Sequence, residues 1–123
     1  MEFHSKARGG MHLNESEWRS CFKLAETFGW SPAGTVSTTL QDEDVEQGWT
    51  GLYFTSDWQK VTDDDARSLG MALERALLAR KTNLELTTEQ TEALQDAPIS
   101  LAKNLAMYAA QGWFIMCGRV GSG

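Results

Sequence analysis

Between Thr62 and Arg80 an apolar or small side chain returns every three to four residues, and this one stretch restricts the fold more than any other. Ala66, Leu69, Gly70, Leu73, Ala76 and Leu77 fall on one stripe of an α-helix, while Arg67, Ser68, Glu74 and Arg75 fall away from it. Such a helix gains its stability by burying the stripe, so other elements must be folded against it. Thr62 followed by Asp65 reads as a capping box, and Arg80 and Lys81 suit the negative end of the helix dipole. The small residues Ala66, Gly70 and Ala76 leave room for another element to approach closely.

Two further stripes supply partners. Asn14 and Glu17 form a second capping box, followed by Trp18, Cys21, Phe22, Ala25 and Phe28 on one face. Glu15 and Arg19 make an exposed i,i+4 pair, and Gly29 with Pro32 ends the helix. After Pro98, a residue suited to a first helical position, Ile99, Ala102, Leu105, Ala106 and Ala109 repeat the pattern until Gly112. A shorter candidate runs from Thr88 to about Gln95. The three principal helices are therefore expected at about 14–28, 62–80 and 98–111.

The chain between them is irregular. Residues 31–50 carry Pro32, Gly34, Gly48 and many hydroxyl side chains without a sustained period, and read as a long loop. Short strands are expected near 11–13, 52–55 and 113–117, from β-formers bounded by turn residues. At 123 residues the chain has the size of one domain and should bury roughly two-thirds of its unfolded surface. The expectation is a single α+β domain, mainly α, over 1–123, with frayed ends at about 1–10 and 118–123.

Charge is unevenly placed. The formal net charge is −6, and residues 31–66 hold one basic and eight acidic groups while the flanking parts nearly balance. Such a domain releases no counterions from a phosphate backbone, which argues against nucleic acid. No apolar run reaches the length of a membrane span, and residues 1–10 lack the apolar core of a leader. Cys21 and Cys117 are far apart and in no ligand spacing, so they read as buried thiols of a reducing compartment, and the cytoplasm is the expected location.

The segment Asp42, Glu43, Asp44, Glu46 and Trp49 is the leading candidate for function. Its carboxylates would steer a basic protein partner and Trp49 would anchor it, as in an accessory or immunity-type interaction module. Asp63, Asp64 and Asp65 read instead as first-turn acids, because adjacent helical residues are about 100° apart and cannot converge on one ion. His4 and His12 have no zinc-site spacing, and no serine or cysteine has the context of a nucleophile. No catalytic residue, metal or cofactor is assigned. A second reading, a small-molecule binder or enzyme, places a pocket at Trp49, Tyr53 and Trp58. A third is a homodimer through Met71 and Leu78, seven residues apart on one stripe.

The stretch Tyr53 to Thr62, running through Asp65-Ala66-Arg67-Ser68-Leu69 into Ala72-Leu73-Glu74-Arg75-Ala76-Leu77, resembles a family of small uncharacterised bacterial proteins, some carried on mobile gene cassettes. Those proteins join an aromatic strand, an Asn/Asp-Gly turn, a capped Ala/Leu-rich helix and a second helix ending in glycine and an aromatic, similar to Gln111-Gly112-Trp113. Trp58 stands here where that pattern has glycine. The resemblance implies element boundaries and no activity.

Overall fold

In the computed structural model, the chain is described at residues 2–5, 9–39, 42–49, 53, 59–82 and 85–117. Among the described residues ten elements follow one another: β1 (Glu2–Ser5), β2 (Gly9–His12), α1 (Glu15–Thr27), β3 (Val36–Thr39), β4 (Asp42–Trp49), β5 (Gln59–Val61), α2 (Asp63–Thr82), α3 (Thr88–Asp96), α4 (Ile99–Ala109) and β6 (Phe114–Cys117). The fold is α+β with helix predominating, and the three expected helices are present together with the shorter one at 88–96.

Local chemistry accounts for the helix ends. The Asn14 side chain accepts from the Glu17 backbone N–H at 2.7 Å while Glu17 accepts from the Asn14 N–H at 2.9 Å. Thr87 and Gln90 close the same box at the start of α3. Gly29 and Gly112 adopt φ of 103° and 119°, the left-handed positions that end α1 and α4. Arg19 meets Glu15 at 2.9 Å, as their spacing predicts.

The strands expected near 11–13 and 113–117 are present as β2 and β6, but the sheet is larger than expected. The strands form one six-stranded antiparallel sheet in the order β2-β1-β6-β5-β3-β4. Residues 2–5 and 9–12 are not a frayed end but paired strands, and Phe3 is fully buried between Trp18 and Phe114, with ring centroids 5.2 and 5.4 Å away. Residues 31–50 are not one loop, since they contain β3 and β4. Tyr53 is a bend rather than part of a strand at 52–55, and the other residues of that strand, with Trp58 and the tail 118–123, lie outside the described residues. So does the Cys117 side chain. The strand described in this region is β5, three residues long. Each missed strand is short or rich in glycine and acid, and pairing with a partner strand rather than its own local preference holds it in place.

The helices cover one face of the sheet. Phe3, Val61, Phe114 and Met116 point to that face and share a core with Trp18, Leu24, Leu69, Leu73 and Leu105. Ile115 and Val36, of opposite parity, are also buried but stand outside that core, in a row where Val36 faces Lys60 and Lys60 faces Ile115. α2 crosses α4 at Gly70, where an added methyl group would stand 3.0 Å from the Ala106 carbonyl oxygen and the Ala110 nitrogen. The close approach expected of the small residues on α2 is this crossing.

Candidate functional site

β4 ends the sheet, and among the described residues no strand flanks its outer side. It is the longest described strand, and among the described residues its inner side meets the four-residue β3 through four partners: Trp49 with Val36, Gly48 with Ser37, Glu46 with Thr38 and Asp42 with Thr39. The register shifts between Ser37 and Thr38 and again between Thr38 and Thr39. Asp42 and Glu46 therefore sit at ladder positions, whereas Glu43 and Asp44 belong to the bulged stretch between them. The acidic segment chosen from sequence lies on the terminal strand of a sheet, not on a loop, and Trp49 closes its far end.

The other acidic triplet is divided by the fold into three different uses. Asp63 accepts the Trp113 backbone N–H at 2.8 Å, tying the start of α2 to the turn that follows α4. Asp64 is exposed. Asp65 does not close the expected box with Thr62 but is buried to 3% exposure. Its Oδ1 accepts from the Trp30 indole N–H at 3.0 Å and the Ala33 N–H at 3.1 Å, and its Oδ2 accepts from the Tyr53 hydroxyl at 2.5 Å. The Tyr53 oxygen in turn accepts the Gly34 N–H at 2.8 Å, and the Tyr53 carbonyl accepts the Trp18 indole N–H at 2.8 Å.

Aromatic rings enclose this cluster. Phe22 lies edge-on to Trp30 at 4.9 Å and to Tyr53 at 5.3 Å, and Trp30 meets Tyr53 at 5.7 Å. A buried carboxylate needs donors to offset its lost hydration, and Asp65 has three. Burial holds the Tyr53 hydroxyl well above the ordinary phenol range, with the hydrogen bond and charge of Asp65 acting the same way and the Gly34 N–H opposing them. The phenol therefore stays a proton donor to a carboxylate acceptor. The arrangement joins chain segments, and within it Tyr53 is 6% exposed. The sequence did carry a signal for it: Asp65 precedes Leu69, Ala72, Leu73 and Ala76 on the buried stripe of α2, an unusual place for a free acid.

The remaining candidates are dispersed. Trp49 lies on β4, Tyr53 is turned into the core, and the structure does not bring them into a described pocket. Trp30 is buried as its place after a helix end implies, but Trp113 is only half buried, with the Lys60 ammonium 5.0 Å from its ring centre. A cleft of about 350 Å³ beside them is lined by Lys60, Thr62, Asp63, Asp64, Arg67 and Trp113, a mixed set of charges. A second groove, of about 450 Å³, runs past Ala79, Leu86, Leu94 and Ile99. His12 is exposed on β2, and among the described residues no three His, Cys, Asp or Glu side chains are grouped to hold a metal. Met71 and Leu78 stand out from α2 at 57% and 59% exposure, joined by Met107 of α4 at 60%. Cys21 is a buried free thiol. No described helix is long and apolar enough to cross a membrane. No protein-family model, curated protein or solved structure matches the chain.

Proposed function

We propose that the chain is an acidic protein-interaction module, of the accessory or immunity type, that receives a basic extended segment of its partner along β4. The observation that carries this reading is the coincidence of four carboxylates, Asp42, Glu43, Asp44 and Glu46, with the terminal strand of the sheet. A terminal strand offers a row of backbone donors and acceptors to an added strand. Carboxylates along it repel a second acidic strand and attract a basic one, so the same charges that discourage self-pairing select the partner. The free thiol of Cys21 supports a reducing, cytoplasmic setting.

The test is a titration with an extended peptide that alternates Lys or Arg with Val and Thr, followed by amide NMR. Shifts should concentrate at 42–49, and affinity should fall by about tenfold or more between 50 and 200 mM salt, as expected when several charge pairs steer association. Reversing Asp42, Glu43, Asp44 and Glu46 to lysine together should abolish the shifts. Binding that survives the reversal, or shifts centred on the helices, would sink the proposal.

The exposed Met71, Leu78 and Met107 favour a second reading, a homodimer through the outer faces of α2 and α4. Sedimentation equilibrium decides it: a monomer throughout the micromolar to millimolar range removes this reading.

A further inference from the structure

Five exposed residues of α2, Arg67, Met71, Glu74, Leu78 and Lys81, follow one another at spacings of four, three, four and three. That spacing keeps them on one stripe of the helix, turned away from the buried Leu69, Leu73 and Ala76. Arg75 leaves this stripe, because its guanidinium donates to the Phe28 carbonyl at the end of α1, at 3.1 Å from Nε and 2.9 Å from Nη2. α4 carries a matching exposed row, Ser100, Lys103 and Met107, with Ala110 just past its end.

The crossing of the two helices fixes the relative heights of the rows. A methyl group on Gly70 would lie 3.0 Å from both the Ala106 oxygen and the Ala110 nitrogen, which are hydrogen-bonded to each other. Further along α2, Ala79 shares a groove with Ala97 and Ile99, so the helices run antiparallel. At a rise of about 1.5 Å per residue, Met71 comes level with Met107, Glu74 with Lys103 and Leu78 with Ser100. Two copies can stack these faces about a two-fold axis in either of two aligned ways. With the axis across the helices, α2 lies antiparallel on its own copy. Bringing Met71 to the partner's Leu78 then sets Arg67 on the partner's Lys81 and Glu74 on the partner's Glu74, like charge on like. With the axis along the helices, heights are unchanged and α2 lies on α4 of the other copy. Met71 then meets the partner's Met107 and Glu74 meets the partner's Lys103, each contact occurring twice by symmetry.

We propose that the chain forms a two-fold dimer of this second kind, in which α2 of each copy is seated on α4 of the other, Met71 packs on Met107 and Glu74 pairs with Lys103 across the interface. The proposal rests on the homodimer reading and specifies which surfaces meet. The exposed apolar residues alone fit either stacking, and the charges choose between them, since like charges brought together penalise one pairing and opposite charges favour the other.

Sedimentation equilibrium on the full chain and its variants tests it. Glu74→Lys and Lys103→Glu should each weaken the dimer by about tenfold or more, because each turns two attracting pairs into two repelling ones. The double variant Glu74→Lys with Lys103→Glu should return to within about threefold of the unsubstituted chain. Stacking of α2 on its own copy predicts otherwise: the single variants still set like charge on like and change little, and the double variant rescues nothing. A dimer indifferent to the single variants, or one the double variant does not rescue, overturns the proposal and leaves the homodimer reading standing. A monomer at every concentration removes both. Should a variant fail to fold, isotope-filtered NOEs between labelled and unlabelled copies of the unsubstituted chain decide. Contact of the Met71 methyl with the Met107 methyl of the other copy is the expected result, and contact with its Leu78 methyls overturns the proposal.

Discussion

Two buried protons make this protein sensitive to alkali. Burial, with the charge of Glu17 adding to it, pushes the Cys21 thiol from 9.0 up to about 12, and burial with Asp65 raises the Tyr53 phenol above its ordinary 10.0. Between the ordinary and the raised value the unfolded chain has released its proton and the folded chain still holds it. The folded state then binds more protons, and stability falls as pH rises. These two groups should contribute fully below pH 9 and progressively less above it, each by at most ~1.4 kcal/mol per pH unit. Urea midpoints measured from pH 7 to 11 check this, and Tyr53→Phe should show a shallower decline above pH 10 than the unsubstituted chain. Asp65 also shows what a residue-level reading of sequence can miss. Its spacing from Thr62 fits a cap, and only its alignment with Leu69 and Leu73 tells that it faces inward, toward donors supplied from Trp30, Ala33 and Tyr53, which no local pattern identifies.

At the scale of elements, the helices were legible because each carries its own instructions. Asn14 and Glu17, Thr87 and Gln90, Gly29 and Gly112 act within a few residues of where they stand. The strands carry far less: β5 has three residues, too few for a period, and β4 reads as Asp-Glu-Asp-Val-Glu-Gln-Gly-Trp, a composition that strands disfavour. β5 is placed by β3 and β6, both distant from it in sequence, and β4 by its antiparallel pairing with β3 rather than by its composition. The candidate site shared this fate, since its acidic residues were evident but their strand was not. The α2–α4 crossing allows a quantitative check. Gly70→Ala gains about 1 kcal/mol in helix propensity, but the added methyl meets backbone atoms of Ala106 and Ala110 at 3.0 Å, and overpacking of that kind costs about 1–3 kcal/mol. Chemical denaturation should therefore show no stabilisation and a net loss of up to ~2 kcal/mol, where an exposed helical glycine would show a gain.

For the whole molecule, the amino-terminal strand is part of the foundation. Phe3 is fully buried against Trp18 of α1 and Phe114 of β6, so it joins two strands and a helix at one point. Phe3→Ala should destabilise the protein by about 3–5 kcal/mol, read from urea unfolding; a loss under about 1 kcal/mol would mean that the segment is an accessory to the core. The sheet order adds a constraint on how the chain is born. β6 comes last among the described strands, yet it lies between β1 and β5 and is the only described strand paired with both. While a ribosome is still adding residues before Phe114, the four described helices have been made but the described sheet exists only as two separate halves, with Phe3 and Val61 lacking the strand that joins them. The sheet of the nascent chain is thus completed only once β6 has been made, and a polypeptide broken off before β6 is a substrate for chaperones and proteases rather than a smaller version of this fold.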